Sequence, residues 1–241
     1  AERIKKAVAA GLLGGPLTPA ALPASQWGWP NPREADAGQE LLAIGADLEP
    51  GTMVDGYRHG LFPMGVESEL GWWSPDPRGV LMPSEFHASR SLRRQRKAFA
   101  LTQDQAFERV VRACADPSRD HGWITAEFVD AYCELHDLGW AHSIEVWARD
   151  PDGPATLAGG LFGVEVGGLF AAESMFHHVS GASKVAVGRL CELMAAADPQ
   201  RRRLIDVQWC TPHLATLGAV EISRDDYLDS LHAALDLPNA L

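Results

Sequence analysis

The sequence predicts a layered fold of mixed helices and strands, α+β or α/β, in which a small N-terminal unit precedes a larger one. Two observations support this. First, segments with helical periodicity are mixed with short alternating segments from about residue 79 onward. Second, a chain of 241 residues, 46% of them hydrophobic, has enough apolar material for one main core with a smaller addition.

The N-terminal unit is predicted to span residues 1–78, and the larger unit residues 79–241. Residues 1–78 are rich in Pro, Gly and Trp, which favour short elements over long ones. Trp72 and Trp73 precede a proline-rich turn and predict a rigid aromatic corner. Such a corner is either part of the junction between the two units or a platform on which a nucleobase stacks.

Four helices are predicted, over residues 104–115, 125–139, 183–197 and from Ser223 toward Leu235. Capping boxes are expected from Thr102 to Gln105 and from Ser223 to Asp226. Alternation predicts strands over residues 142–148, 156–162 and 204–209. A hairpin is expected over 164–176, turning at Gly167 and Gly168.

A dense run of positive charge lies in an acidic chain. The formal net charge is −11, yet five basic residues lie within residues 90–97, without an acid among them. Four of them have the spacing i, i+3, i+4, i+7 that forms one face of a helix: Arg90, Arg93, Arg94 and Lys97. The pattern alone leaves two interpretations open, a solvated helix face or a surface that contacts phosphates.

Two acidic positions lie in otherwise apolar strands. Asp206 and Gln208 alternate with apolar residues, so they are expected on one face, where both need partners or solvent. Glu173 lies in an apolar run without a neighbouring cation and is expected to share its face with Met175. Each carboxylate either anchors structure, through a cap or a distant arginine, or handles a proton or an ammonium group.

Several classes of function lack their signals. The four cysteines are scattered and the adjacent His177 and His178 point oppositely on a strand, so neither a metal site nor a disulfide framework is expected. Cysteine use of this kind suits a reducing cytoplasm. There is no apolar run of about 18 residues that would cross a membrane. Nucleophile-elbow and Walker-A motifs are absent from the sequence.

Eight motifs, in order from about Trp29 to Leu231, resemble the bacterial leucyl/phenylalanyl-tRNA–protein transferases. They are WWSPDPR (72–78), H-x-SRSLRR-x-x-K (87–97), WIT (123–125), AHSIEVW (141–147), ESMF (173–176), ASK (182–184), LID-x-Q (204–208) and HLATLGA (213–219). The resemblance implies transfer of Leu or Phe, and Met less well, from aminoacyl-tRNA to the N-terminal Arg or Lys of a protein, which marks that protein for degradation. It also implies a GNAT-like acyltransferase domain, a mixed sheet flanked by helices, with no cofactor.

The resemblance also implies roles for individual residues. Asp206 and Gln208 match the catalytic pair, and Glu173 matches the carboxylate of the aminoacyl pocket. Trp123 matches a residue at the site of the terminal adenosine. Four residues match the apolar positions around the amino-acid side chain: Leu161, Phe170, Met175 and Ile205. Arg90, Arg93, Arg94 and Lys97 match the helix face that contacts the tRNA acceptor stem. A monomer in the cytoplasm is expected.

The chain departs from the family pattern at a few positions, which bear on affinity and side-chain preference more than on the reaction. The residues found there are Met64 for Trp, Leu161 for Met, Ala172 for Gly, Gly181 for Asn and Pro212 for Asp. Met64 removes one aromatic wall of the adenosine site that the family implies.

Two other classes of protein fit the sequence less well. An acetyl-CoA N-acetyltransferase needs a glycine-rich pyrophosphate loop, and the nearest string, residues 119–124, ends in the wrong residue. A non-catalytic RNA-binding protein would use the basic face but gives no purpose to Asp206, Gln208 and Glu173.

Overall fold

The strands form two sheets in the computed structural model, which describes residues 18–119, 122–149, 153, 155–198 and 200–241. Residues 1–17 of the predicted N-terminal unit, and two residues of the 119–124 string, lie outside these ranges. The strands are β1 (Leu41–Ile44), β2 (Phe62–Val66), β3 (Glu69–Trp73), β4 (Arg78–Leu81), β5 (Phe99–Gln103), β6 (Ala141–Ala148), β7 (Thr156–Val166), β8 (Leu169–His177), β9 (Leu204–Gln208) and β10 (Val220–Ile222).

The smaller sheet is antiparallel, in the order β1-β3-β2. The larger sheet has the order β10-β4-β9-β8-β7-β6-β5. Its neighbouring strands are antiparallel except for β8 and β9, which run parallel. The helix over Ala182–Ala196 connects β8 to β9, because a parallel pair requires a crossover.

The helices flank this mixed sheet. They are α1 (Pro50–Arg58), α2 (Arg90–Arg96), α3 (Phe107–Cys114), α4 (Ala126–Asp137), α5 (Ala182–Ala196), α6 (Pro212–Ala215) and α7 (Arg224–Leu235), with 3-10 turns at Pro32–Glu34 and Pro83–Glu85. One hydrophobic cluster joins α1, α3, α4 and α7 to one face of the larger sheet, and it also includes Phe62 and Trp72 of the smaller sheet. A second cluster packs α5 on the opposite face.

The predicted mixed α+β fold, with a sheet flanked by helices, is confirmed. The GNAT-like architecture and the division of the chain at residue 78 remain predictions. Both sheets contribute residues to the first hydrophobic cluster, so the two parts of the chain pack together.

The predicted helices with clear end signals are confirmed. Thr125 is the N-cap residue of α4, and Gly139 follows this helix with a φ of 78°. The hydroxyl of Ser223 accepts a hydrogen bond from the backbone N–H of Asp226 at the start of α7. The predicted hairpin is also present, with Gly167 in the left-handed region at its turn.

The capping box from Thr102 to Gln105 is wrong. Thr102 lies in β5, which pairs with β6 at the edge of the larger sheet. The helix begins only at Phe107, and its N-cap residue Ala106 provides no side-chain cap. Strand pairing therefore overrides a local helix signal here.

Candidate active site

The parallel strands β8 and β9 separate partway along their length. Their residues pair at Leu169 with Leu204, Phe170 with Ile205, and Ala171 with Asp206. Beyond these pairs, β8 runs on to His177 and β9 to Gln208 without further pairing of the two strands. We call the space between residues 172–173 and residues 206–208 the strand gap. Backbone groups that no longer pair across a sheet are available to a ligand.

Glu173 lies on the β8 side of the strand gap and is held by two tyrosines. Its Oε1 accepts from the Tyr57 hydroxyl at 2.8 Å and its Oε2 from the Tyr132 hydroxyl at 2.7 Å. The residue is 9% exposed. Burial raises the pKa of Glu173 to about 7, although both tyrosine hydroxyls oppose this by stabilising the carboxylate. The group therefore changes charge near neutral pH.

Glu173 and Met175 do not share a face, contrary to the prediction from alternation. Gly163 pairs with Ala172 and Phe162 with Ser174, so Glu173 is the extra residue of a β-bulge. The bulge shifts the alternation by one residue. Met175 consequently packs against the second hydrophobic cluster, whereas the tyrosines around Glu173 belong to the first.

Asp206 lies across the strand gap and is fully buried. Arg78 donates to both of its oxygens, from Nε to Oδ1 at 2.9 Å and from Nη2 to Oδ2 at 2.6 Å. The backbone N–H of Gln208 and the hydroxyl of Tyr227 donate to the same two oxygens, each at 2.9 Å. A carboxylate accepts about four hydrogen bonds. The carboxylate of Asp206 is therefore saturated, and its protein partners would have to leave before it could take a substrate proton.

Arg78 is a site residue that the sequence reasoning did not identify. Its guanidinium also donates to the carbonyl of Gly60 at 3.2 Å. It stacks on two rings, with its Cζ 4.3 Å from the centre of the Tyr227 ring and 5.0 Å from that of Phe62. Burial is the largest influence on Arg78 and lowers its pKa, but the charge of Asp206, the hydrogen bonds to it and the neighbouring Tyr227 and Glu173 together outweigh burial and raise the pKa. The sequence feature that could have identified Arg78 is its position as a charged residue at the start of a short apolar strand.

Gln208 ends β9 with an unusual backbone. Its φ of 59° lies in the left-handed region, which costs energy for a residue with a side chain. The hydrogen bond from its N–H to Asp206 compensates for this strain. With the amide nitrogen facing the neighbouring carbonyls, the side chain donates to Ala172 and Val207, each at 3.1 Å. Gln208 thus spans the strand gap.

The four apolar residues of the expected aminoacyl pocket lie together. Leu161 pairs with Met175 and Phe170 with Ile205 across neighbouring strands. They pack with the second hydrophobic cluster, on the face opposite to the carboxylates of Glu173 and Asp206. Leu161, Phe170 and Ile205 are at most 2% exposed, so only Met175 is partly open to solvent.

Trp123 lies beside Tyr132, one of the two tyrosines that hold Glu173. Its ring meets Phe128 edge to face with 5.2 Å between the ring centres, and Tyr132 with 6.4 Å. Since Tyr132 donates to Glu173, one side chain separates Trp123 from the carboxylate. The half-buried indole therefore borders the same side of the strand gap.

The basic run forms the short helix α2, as its spacing predicts. The hydroxyl of Ser89 accepts from the N–H of Leu92, and the buried Leu92 anchors the helix to the second cluster. The four residues of the predicted face are exposed: Arg90, Arg93, Arg94 and Lys97. Arg96, outside that face, lies 3.2 Å from the Glu192 carboxylate.

Metal ligands and membrane-spanning helices were also sought among the described residues. Within the described ranges, no three His, Cys, Asp or Glu side chains come together as metal ligands would. In the same part of the chain, no helix is both long enough and apolar enough to cross a membrane.

Comparison with known proteins decides the family. The model of the leucyl/phenylalanyl-tRNA protein transferase family matches residues 80–232, and the model of the N-terminal domain of that family matches residues 46–76. The chain belongs to the leucyl/phenylalanyl-tRNA protein transferase family. The resemblance read from the motifs and the prediction of an aminoacyltransferase are thereby confirmed.

Relatives named leucyl/phenylalanyl-tRNA–protein transferase match most of the chain. The protein of Oleidesulfovibrio alaskensis is 44% identical over 216 residues, which cover 87% of this chain and 86% of that protein. The protein of Anaeromyxobacter sp. strain K is 46% identical, with coverages of 87% and 89%. The protein of Klebsiella pneumoniae is 45% identical over 194 residues, with coverages of 79% and 80%.

Proposed function

We propose that this transferase moves Leu or Phe, and Met less well, from aminoacyl-tRNA to the N-terminal Arg or Lys of acceptor proteins. The new N-terminal residue would serve as a degradation signal. In this proposal the enzyme works in the cytoplasm as a monomer and needs no cofactor. The observation that carries it is the strand gap, because Glu173, Asp206 and Gln208 meet there in a chain of this family.

The reaction needs positioning more than activation, since the ester of an aminoacyl-tRNA is already reactive. The neutral α-amine of the acceptor attacks the ester carbonyl carbon, and the new C–N bond replaces the C–O bond to the ribose. The amine proton leaves with the ribose oxygen, which becomes a hydroxyl. Holding the two substrates in contact supplies most of the rate gain that such a reaction requires.

In this proposal Glu173 binds the α-ammonium group of the aminoacyl donor. Its ionised form is an acceptor for an ammonium group, and Tyr57 and Tyr132 fix its direction. A cation in the gap would also favour the ionised form of a carboxyl whose pKa is about 7.

Gln208 and Asp206 act as a unit in this proposal. Gln208 reaches across the gap and would contact the reacting groups through its side-chain amide. Asp206 would hold Gln208 and Arg78 in place through its saturated carboxylate, rather than take the proton itself. Four apolar residues would receive the donor side chain on the opposite face of the sheet, with Met175 at the entrance: Leu161, Phe170, Met175 and Ile205.

The charges of the chain fit both proposed substrates. The exposed face of α2 would contact phosphates of the acceptor stem, and Trp123 would border the terminal adenosine. An overall charge of −11 favours approach of an acceptor peptide that begins with a basic residue.

A transfer assay tests the proposal. Leu-, Phe- and Met-charged tRNA would be offered with peptides that begin with Arg or with Glu. We expect transfer of Leu and Phe to the Arg peptide, weaker transfer of Met, and none to the Glu peptide. Modification of the Glu peptide alone would overturn the assigned acceptor.

The same assay with Asp206→Asn tests the catalytic unit. The amide keeps the size of the side chain but loses the bidentate pair with Arg78, so we expect transfer to fall on the order of 100-fold. The dissociation constant of the tRNA should stay unchanged. Near wild-type transfer by this variant would remove Asp206 from the mechanism. Asp206→Ala is less informative, because leaving Arg78 buried without a partner costs about 3–5 kcal/mol of stability.

A further inference from the structure

An exposed tryptophan lies beside the strand gap. Trp209 directly follows Gln208, so their Cα atoms lie about 3.8 Å apart. The residue is 37% exposed, although most large apolar side chains of the described chain are buried. An indole left open next to a site residue is a candidate contact for a substrate.

The Trp209 ring is held in one orientation. It meets Phe62 edge to face with 5.3 Å between the ring centres, and Trp73 with 6.4 Å. Its N–H donates to the Oε2 of Glu40 at 3.3 Å. The backbone of Glu40 is also fixed, because its carbonyl accepts from the N–H of Ser74 at 2.8 Å. The indole ring of Trp209 and the carboxylate of Glu40 therefore lie side by side in a defined arrangement.

This pair has no cation of its own. Across the described ranges, no arginine or lysine lies over the Trp209 ring, and none pairs with Glu40. The neighbouring ring of Phe62, in contrast, carries the guanidinium of Arg78 at 5.0 Å. An aromatic face next to an unpaired carboxylate is an arrangement that binds a guanidinium or ammonium group.

We propose that Trp209 and Glu40 form the subsite for the basic side chain of the acceptor's first residue. The inference rests on the proposed function, which places the α-amine of the acceptor at the strand gap. From there, the extended side chain of an N-terminal Arg or Lys reaches past Gln208 to the neighbouring indole. Its charge then lies over the ring and close to the Glu40 carboxylate.

The test compares two acceptor peptides, one beginning with Arg and one with citrulline, which has the same shape without the charge. The variants are Trp209→Leu, which removes the aromatic face, and Glu40→Gln, which keeps an acceptor for the indole N–H. We expect the preference for Arg over citrulline, as a ratio of kcat/KM, to fall about threefold to thirtyfold in each. The KM for aminoacyl-tRNA should not change.

The chain offers a matched control pair. Trp27 is 44% exposed and donates from its indole N–H to Asp47 at 2.7 Å, in a segment that contributes no residue to the strand gap. Trp27→Leu and Asp47→Asn should leave the preference for Arg unchanged. Trp209→Phe keeps an aromatic face and should retain part of the preference.

The other outcomes would contradict the subsite or the function on which it rests. An unchanged preference in both variants, or a wild-type enzyme that accepts both peptides equally, overturns the subsite. A raised KM for aminoacyl-tRNA with the preference intact means that Trp209 stacks on a nucleobase, which also overturns it. If the wild-type enzyme modifies no Arg peptide, the proposed function fails instead, and this result is visible before any variant is made.

Discussion

Glu173 combines burial with a charge that the proposed reaction needs. Two tyrosine hydroxyls accompany its carboxylate, and the nearest charged groups on the opposite strands, Asp206 and Arg78, act on it in opposite directions. Burial dominates, so the free enzyme holds Glu173 near its midpoint of ionisation at neutral pH. Ionised Glu173 therefore destabilises the folded protein as long as no cation is bound next to its carboxylate.

The burial of Glu173 predicts that the free energy of unfolding depends on pH. The unfolded carboxyl titrates near 4.5 and the folded one near 7, so the folded protein retains a proton between these values. The stability from this group is complete below the unfolded pKa and is lost as the pH rises through the folded pKa, by about 3 kcal/mol. Glu173→Gln lacks this loss, so its stability relative to wild type should increase from pH 4.5 to pH 8.

Urea unfolding across this pH range measures the difference. Glu127, exposed at the start of α4, gives a control, since Glu127→Gln should follow the wild-type profile. Because Glu145 and Glu165 are also buried with raised pKa values, only the difference between variant and wild type is diagnostic. Parallel profiles of Glu173→Gln and wild type would contradict the assignment.

At the scale of residues, the sequence indicated which residue types meet but not how. Alternation placed Asp206 on the face opposite to Ile205 and Val207, as the structure has it, and Glu173 was recognisable as an isolated acid, although its role stays a prediction. Its partners Tyr57 and Tyr132 come from distant helices, and no local pattern connects them to β8. The bulge at Glu173 and the partner Arg78 depend on register between strands, which alternation within one strand cannot reveal.

The helix α2 is short and strongly charged, and it depends on its anchor. Ser89 caps it and Leu92 is its buried residue, so the basic side chains can vary without loss of packing. Like charges at i, i+3 and i+4 oppose the helix by a few tenths of a kcal/mol per pair. Phosphates of a bound tRNA would convert this repulsion into attraction.

Replacing Arg90, Arg93 and Lys97 together with glutamine should weaken tRNA binding. We expect the slope of log K against log salt concentration to shrink in magnitude by roughly 2 to 3, since each lost phosphate contact removes about 0.9. Titrations at several salt concentrations measure this slope. Transfer from a minimal aminoacyl-adenosine donor should be largely spared.

Arg96→Gln is the matched control, because Arg96 lies outside the basic face and pairs with Glu192. It should alter the salt slope least. If the salt slope of the triple variant equals that of the wild type, the basic face of α2 is a solvated helix face and does not contact tRNA phosphates.

At the scale of elements, segments with end signals were predictable, whereas most short strands, apart from β9, were not. The helices α4, α5 and α7 agree with the prediction within a few residues, because caps and periodicity are local properties. Strands β1 to β5 and β10 have three to five residues each and were missed. Apart from the hairpin of β2 and β3, their pairing partners lie far away in the sequence. Proline or glycine also interrupts the patterns of β2, β3 and β4.

At the scale of the whole molecule, buried arginines connect distant segments. Arg224, at the start of α7, donates to the carbonyls of Ser74 at 3.0 Å, Pro32 at 3.2 Å and also Gln39. It is 4% exposed. One side chain thus joins α7 to the end of the smaller sheet and to the segment that leads into it, an arrangement that no sequence pattern indicated.

This connection predicts that both parts of the chain unfold together. Arg224→Met removes the donors from three carbonyls, and it should lower the free energy of unfolding by about 2–4 kcal/mol while speeding proteolysis of the segment before β1. Arg33→Gln is the control, since the exposed Arg33 pairs with Asp225 and Asp229 of the same helix and should contribute little. Urea unfolding with limited proteolysis measures both variants. Equal losses in the two would contradict the role of Arg224, because solvent screening weakens the exposed ion pairs of Arg33 but not the buried hydrogen bonds of Arg224.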